Sequence, residues 1–459
     1  MRMKAVSLFS GAGGLDVGVE DAGFEVRCCV ELNEYAAETL RLNKRLGMST
    51  KDEFDAWFDS VGALPYRAWE PAAIKRVRAR VRAGVGKHGY MSHAEVIQSD
   101  IRAVTSDTIA AAAGVRRGEL ELLFGGPPCQ SFSRAGQRAG VGDERGQLFL
   151  EFVRIANDLR PRFVLLENVK GLVQTKANSW RAECGRCGWS EVPPFDPDAE
   201  APEHGTPAHR CPKCGAKSTK WRVERNKPGG SLDWIQSAFD RIGYRTSAFL
   251  LNAVDFGIPQ RRERVFIVGT RDGEMLHAPE PAGAPVPTVW DTLFGTPNPD
   301  HLWPLDPNRA VLWVKNVVRP HDEPVTWDLR HPAPTVGAHQ GAKLAIAPFG
   351  VPEEQLLRQQ WHLKGRRQGD SPPVPVEHSY LSDRDLLLLQ TFPSFWFVAG
   401  TRMERAFQIG NAVPPQFGAH VARALAQRSG LLLDSSSGQP CRRLSPPAGG
   451  RTRQLGLFG

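Results

Sequence analysis

Cys129 lies in Gly125-Gly126-Pro127-Pro128-Cys129-Gln130-Ser131-Phe132, directly after the apolar run Leu120-Glu121-Leu122-Leu123-Phe124. Paired prolines fix φ and remove two backbone donors, so the loop is stiff. A stiff loop at a strand end suits a nucleophile that must be aimed; the alternative is a buried structural cysteine beside a tight turn. A second apolar run, Phe163-Val164-Leu165-Leu166, ends in Glu167-Asn168-Val169 and sets a carboxylate where a strand stops. Further on, Gln260-Arg261-Arg262-Glu263-Arg264 precedes the apolar stretch from Val265 to Val268. Arginine does not deprotonate in proteins, so Arg262 and Arg264 carry a fixed positive field. A surface carboxylate and a surface arginine loop are the plain readings of these two. Cys184-x-x-Cys187 and Cys211-x-x-Cys214 form two knuckles, Cys-Gly-Arg-Cys-Gly and Cys-Pro-Lys-Cys-Gly. Four thiolates so spaced make a tetrahedral zinc site; chance spacing or disulfide pairing is the alternative.

These groups need a scaffold, and the N-terminal half spells one out. Ala5-Val6-Ser7-Leu8-Phe9 reads as a strand, Ser10-Gly11-Ala12-Gly13-Gly14 as a glycine turn, and Leu15 to Ala22 as an amphipathic helix. Glycines there let the backbone approach a ligand closely, and the helix N-terminus favours an anionic group. A second strand, Glu25 to Val30, ends in Glu31, at a distance from Gly11 where an acidic residue commonly receives ribose hydroxyls. Val96-Ile97-Gln98-Ser99-Asp100-Ile101 supplies a third acidic strand end. A nicotinamide dinucleotide is the commoner ligand of such a turn, but the Gly-x-Gly-x-x-Gly phosphate cradle is only partly met. The alternation of strands and helices predicts an α/β fold, a mostly parallel sheet with helices on both faces.

Composition is consistent with a polyanionic partner without establishing one. The 459 residues suffice for two or three compact domains, and 58 basic against 50 acidic residues give a net charge of +8. No apolar run is long enough to span a membrane, and Met1-Arg2-Met3-Lys4-Ala5-Val6 enters a strand without a signal-peptide core. A cytoplasmic location follows as the expectation. Thiols stay reduced there, so the eight cysteines are ligands, a nucleophile or fillers rather than a disulfide framework.

Gly-Pro-Pro-Cys-Gln together with Glu167-Asn168-Val169 resembles the DNA (cytosine-5) methyltransferase family of bacterial restriction-modification type. Phe9-x-Gly11-x-Gly13-Gly14 looks like that family's S-adenosylmethionine loop, Gln260-x-Arg262-x-Arg264 like its arginine element, and Leu389-Gln390-Thr391-Phe392-Pro393 and Gln408-Ile409-Gly410-Asn411-Ala412-Val413-Pro414-Pro415 like its last elements. The matches run in the family's order over residues 4–43, 94–172, 231–271 and 379–427. The resemblance implies that Phe9, Gly11, Gly13, Gly14, Glu31, Asp100, Ile101, Pro127, Asn411 and Val413 hold S-adenosylmethionine, with Asp100 on the adenine amino group. It implies double-stranded DNA as partner, in a cleft between domains, with the target cytosine flipped out of the stack. Cys129 would then add to cytosine C6, Glu167 would serve ring N3, Arg262 and Arg264 would sit at the active site, and Gln130 and Ser133 would belong to the loop that closes over the base. The helix from Phe417 to Ala426 would pack beside the first strand. Cytosine methylation of transfer RNA competes, but the Cys-Phe-Thr element of that branch is absent. A catalytically silent DNA-binding relative is opposed by the intact Cys129 and Glu167.

Three regions depart from the family core. The insertion 44–93 holds a densely basic helix, Ala72 to Arg82, which reads as a solvated face or a polyanion contact. The zinc ribbon is inserted over 175–228, either as a structural pin or against the DNA flank. Residues 272–378, rich in Pro, Trp and Gly, take the place of a target-recognition domain, with Arg319, Arg330, His331, Lys364, Arg366 and Arg367 available for phosphate or base edges. The catalytic domain thus covers 1–271 and 379–427, and 428–459 is a compositionally disordered tail. Its end, Gln454-Leu455-Gly456-Leu457-Phe458, resembles the short peptide by which bacterial proteins dock on the DNA polymerase sliding clamp. A cognate restriction endonuclease is the expected functional partner.

Overall fold

Residues 3–62, 71–87, 89–128, 146–174, 176–191, 203–274, 276–283, 285–294, 310–314, 325–337, 344–348, 379–428 and 453–454 are described by the computed structural model. In chain order the first strands are β1 (Met3–Leu8), β2 (Phe24–Glu31), β3 (Glu95–Gln98), β4 (Leu122–Gly125) and β5 (Phe163–Val169). All five run parallel. Strands β6 (Lys176–Cys184), β7 (Ser190–Glu191) and β8 (Thr219–Pro228) form a separate antiparallel sheet. Strands β9 (Arg245–Asn252) and β10 (Glu263–Thr270) then return to the main sheet, antiparallel to each other, with β10 antiparallel to β5. The spatial order is β9-β10-β5-β4-β1-β2-β3, and Arg453–Gln454 pairs outside β9 with Leu250 and Phe249. The mostly parallel α/β expectation holds.

Strand order reverses between β1 and β4, which are adjacent and parallel. Loops leaving the carboxyl ends of two such strands diverge to opposite faces, and the crevice between them is where open α/β sheets bind ligands. The two chemically loaded loops, after Leu8 and after Gly125, leave at that point. Gly125 pairs with Leu8, and a Cβ on Gly125 would sit 2.0 Å from the Leu8 carbonyl oxygen. Only glycine lets the loop start there.

Apolar residues fill both faces of the sheet. Ala5, Val26, Leu122, Leu165 and Phe266 point to one core; Val6, Val30, Leu123, Val164 and Ile267 point to the other, as expected for strands buried on both sides. Helix α1 (Gly14–Asp21) is buried continuously from Gly14 to Val19, not amphipathic as its sequence suggests. The reason is the helix Pro415–Arg428, which packs on α1. A Cβ on Gly18 would lie 2.3 Å from the Pro415 carbonyl oxygen, so the two helices touch backbone to backbone.

The basic insertion is a small helical layer. Helices α2 (Glu34–Met48), α3 (Lys51–Trp57) and α4 (Pro71–Gly84) enclose Leu46, Phe54, Phe58 and Val81 together with Phe397 from the C-terminal part. Arginines of α4 are tied inward: Arg78 pairs with Asp55 (3.0 Å) and Asp59 (2.7 Å), and Arg82 with Asp55 (2.7 Å). Arg80 donates to the Ser394 carbonyl (2.6 Å). These arginines therefore fasten the insertion to itself and to the segment around Trp396, a role that neither sequence reading of the helix contained.

Ala310–Val314, Val325–Asp328 and Leu344–Pro348, from the region expected to recognise the target, build a second antiparallel sheet with Ser379–Tyr380, which lies just beyond it. Arg330 and His331 are described and exposed, whereas Arg319, Lys364, Arg366 and Arg367 lie outside the described residues. A capping box, Ser382 with Asp385, opens the helix Asp383–Leu389.

Candidate active site

A cavity of about 730 Å³ opens at the reversal point of the sheet. One end is built by the glycine turn and the ends of β2 and β3. Phe9 takes φ 58°, Gly11 φ 55° and Gly13 φ 82°, so the chain turns sharply before α1 starts. Gly11 N donates to Glu31 Oε2 (2.7 Å) and Asn33 N to Glu31 Oε1 (2.8 Å). Two backbone amides thereby aim the carboxylate, while burial raises the Glu31 pKa above its ordinary value. Asp100 also lines the cavity, accepts from Arg102 N (2.9 Å) and pairs with the Arg102 guanidinium (2.6 Å). Its carboxyl is held below the usual range by that hydrogen bonding.

The other end belongs to β4, β5 and β10. Glu167, near the end of β5, is 9% exposed, and its Oε1 meets Arg264 Nε at 2.9 Å. Burial raises the Glu167 pKa, with Arg264 and Arg262 opposing the rise. The carboxyl therefore holds a proton more readily than an ordinary glutamate. Asn168 Nδ2 donates to the Pro127 carbonyl (3.0 Å), which ties the Gly-Pro-Pro loop to the end of β5. The same loop passes close over the carboxylate: a Cβ on Gly126 would be 3.2 Å from Glu167 Oε2. Pro127 and Pro128 line the cavity, and Cys129, Gln130 and Ser133 lie outside the described residues.

Most of the sequence-predicted residues meet at this cavity: Phe9, Gly11, Gly14, Glu31, Asp100, Ile101, Pro127, Glu167, Arg264, Asn411 and Val413 all line it. Gly13 and Arg262 do not. Gly13 turns inward, where a Cβ would lie 2.8 Å from Leu40 Cδ2 and 3.2 Å from Trp396. Arg262 is fully buried behind the wall and donates to the carbonyls of Val336 (3.0 Å), Gly410 (3.0 Å) and Ala412 (2.9 Å). It fixes the Gln408–Pro415 stretch against β10, and so positions Asn411 and Val413 rather than facing a ligand. Neighbouring residues that sequence reasoning passed over complete this tie. Gln260 Nε2 donates to Gln390 Oε1 (3.0 Å), Gln390 Nε2 to the Ile409 carbonyl (2.6 Å), and Gln260 Oε1 accepts from Val336 N (3.0 Å). The only sequence signal for them was their place in the Gln-x-Arg-x-Arg and Leu-Gln-x-Phe-Pro motifs.

Asp16 was also missed. It is completely buried, its pKa is pushed up to about 6 by burial, and its Oδ2 has no hydrogen-bond partner among the described residues. Nothing in a one-letter helix segment distinguishes it from a solvent-facing aspartate, because it turns toward the sheet, where Cys29 Sγ of β2 donates to its Oδ1 (3.5 Å).

The four ribbon cysteines come together as expected, with all sulfurs within 4.8 Å of one another. Cys184 Sγ and Cys214 Sγ are 3.7 Å apart, Cys187 Sγ and Cys211 Sγ 3.6 Å. These separations are far too long for disulfides. They match the edge of a tetrahedron with metal–sulfur bonds of about 2.3 Å, roughly 3.8 Å.

Comparison with known proteins agrees with this geometry. Residues 3–58, 88–183 and 223–427 match the family model described as C-5 cytosine-specific DNA methylase. The Type II methyltransferase M.AquIA of Picosynechococcus sp. is 32% identical over 285 residues, covering 62% of this chain and 79% of that protein. The Type II methyltransferase M1.HphI of Haemophilus parahaemolyticus is 24% identical over 438 residues, covering 93% and 87%. The solved structure of the Entamoeba histolytica methyltransferase EhMeth superposes with a TM-score of 0.52 at 12% identity, over 94% of this chain and 99% of that one, which shows the shared fold.

Proposed function

Because this chain belongs to the C-5 cytosine-specific DNA methylase family, we propose that Cys129, Glu167 and Arg264 are the groups with which it methylates cytosine C5. The enzyme is a DNA (cytosine-5-)-methyltransferase that depends on S-adenosylmethionine, and its curated relatives are Type II methyltransferases. The observation that carries the residue assignment is the meeting of Pro127–Pro128, Glu167 and Arg264 at one end of a cavity whose other end holds Glu31 and Asp100.

The residues present suit S-adenosylmethionine. Glu31, with both oxygens oriented by backbone amides, retains lone pairs for ribose hydroxyls, and Asp100 accepts from an amino group beside Ile101. When bound there, S-adenosylmethionine supplies an electrophilic methyl group. Cytosine C5 is too electron-poor to take that methyl unaided. The Cys129 thiolate forms a bond to C6, and the displaced ring electrons make C5 nucleophilic. Glu167, its pKa raised by burial, gives a proton to N3 where negative charge accumulates. Arg264 holds the Glu167 carboxyl in place and adds positive field at the same edge. After C5 has gained the methyl group, solvent takes the C5 proton, the C5–C6 double bond re-forms as the cysteine thiolate leaves, and N3 returns its proton to Glu167.

The finer assignments extend this reading. The remaining cofactor contacts are Phe9, Gly11, Gly14, Pro127, Asn411 and Val413, with Gly13 and Arg262 shaping the walls and Gln130 and Ser133 on the closing loop. Zinc occupies the four-cysteine site as a structural ion; the sulfur separations support it. Duplex DNA binds with residues 272–378 reading the target, and the methylation protects that site from a cognate endonuclease in the cytoplasm. Among the described residues no helix is long and apolar enough to cross a membrane. The tail peptide Gln454–Phe458 docks on a sliding clamp, releasing the pairing of Arg453–Gln454 with β9.

Cys129→Ser tests the centre of the proposal. Methyl transfer from labelled S-adenosylmethionine to genomic DNA should vanish, with cofactor binding retained, and 5-fluorocytosine DNA should trap only the wild-type chain covalently. Turnover of the serine variant within tenfold of wild type would reject the covalent route. Transfer to transfer RNA in preference to DNA would reject the substrate.

A further inference from the structure

The ribbon is mounted at the rim of the catalytic cavity. Gly171, on the short helix Gly171–Gln174 after β5, lines the cavity, and β6 begins at Lys176, directly after that helix. Its partner β8 returns to the same spot, pairing Pro228 with Lys176, and Gly229 lies against the Val173 carbonyl. Trp180 of β6 stacks edge-on against Trp234 of the helix Gly230–Arg241, with ring centroids 5.0 Å apart at 81°. Paired strands rooted twice in the catalytic domain and braced by two tryptophans make a stiff arm.

The arm's charge is one-sided. Residues 176–191 and 203–228 carry ten lysines and arginines against four carboxylates. On the strands, Arg181 and Arg222 are engaged by Glu183 and Glu224. At the knuckles, Arg186, Arg210, Lys213 and Lys217 are exposed, and among the described residues none has a carboxylate partner. Two of them, Arg186 and Lys213, lie between the paired cysteines at the knuckle tips. Residues 192–202, between the knuckles, add Asp196, Asp198 and Glu200 and lie outside the described residues.

We propose that the ribbon is a second DNA-binding surface, in which Arg186, Arg210, Lys213 and Lys217 contact the phosphate backbone beside the methylated site. This rests on the DNA-methylating function given above. A structural pin would need no cations at its outer end, and burying cysteines does not require them. The nine residues of β6 carry the knuckles about 26 Å from the cavity rim at a strand rise of about 3.3 Å. At about 3.4 Å per base pair, that reach is within about eight base pairs of the target cytosine. Contacts of this kind add affinity without reading sequence, so they leave recognition to residues 272–378.

The test compares wild type with a quadruple variant, R186A/R210A/K213A/K217A, using a random-sequence 40-base-pair duplex and labelled methyl transfer to genomic DNA. Loss of about four phosphate contacts should reduce the slope of log affinity against log salt by about 3–4 and weaken binding more than tenfold at low salt. In turnover, KM for DNA should rise while kcat stays within about twofold. A second measurement needs no variant: acetylation of Lys213 and Lys217 in the wild-type chain should slow when the duplex is added. An unchanged salt slope, or equal acetylation with and without DNA, overturns the proposal. Wild-type enzyme that transfers no methyl to DNA would instead refute the function on which it rests.

Discussion

Replacing Glu167 by Gln is the most informative single change. The amide oxygen of Gln can still accept from Arg264 Nε, which now meets Glu167 Oε1 at 2.9 Å, so the side chain should stay where it is. What disappears is the transferable proton. Positioned general acids contribute about 10²–10⁴-fold, which corresponds to about 3–5 kcal/mol of barrier. Single-turnover methyl transfer should fall by that factor, while S-adenosylmethionine affinity stays within about threefold, because Glu31 and Asp100 sit at the opposite end of the cavity. The pH profile separates this from a merely structural effect. Burial raises the Glu167 pKa, so the protonated form is present at low pH and is lost as pH rises through the raised value. The wild-type rate should decline on that limb and the Gln variant should not show it. A variant rate within threefold of wild type, or lost cofactor affinity with unchanged chemistry, would refute the assignment.

Arg262→Met removes three buried hydrogen bonds to Val336, Gly410 and Ala412 and should cost about 3–5 kcal/mol in denaturant unfolding; a loss under 1 kcal/mol would show that the carbonyls find other partners. Glu20, largely buried against Met91 N (2.8 Å), has its pKa pushed up to about 8 by burial. Its stabilising proton is fully bound below the ordinary glutamate range and lost as pH rises through about 8, so wild-type stability should fall across that window and Glu20→Gln should flatten the fall. Purified protein should contain about one zinc per chain, and Cys184→Ser with Cys187→Ser should expose residues 175–228 to proteolysis while methyl transfer persists; metal analysis finding no zinc would defeat the ribbon assignment.

The chemistry of this chain is local and was legible as such. A proline-stiffened Cys129 after one strand, a carboxylate ending another, glycines before α1 and two Cys-x-x-Cys knuckles are each set by neighbours a few residues away, so periodicity and residue type suffice to find them. Tertiary structure alone decided which of those residues line the cavity. Gly13 and Arg262 belong to the same motifs as Gly11 and Arg264, yet Gly13 turns into Leu40 and Trp396, and Arg262 turns toward Gly410 and Ala412. The partners that claim them come from α2 and from the C-terminal quarter of the chain, and no local pattern announces contacts so distant in sequence. The same holds for the outer face of α1 and for the arginines of α4. A helix face that reads as solvated becomes buried once another helix covers it, and basic residues that read as a polyanion contact become internal ties once carboxylates such as Asp55 stand opposite. Charge and polarity are written in the sequence, but whether a polar group is spent inside the protein depends on which distant segment folds against it.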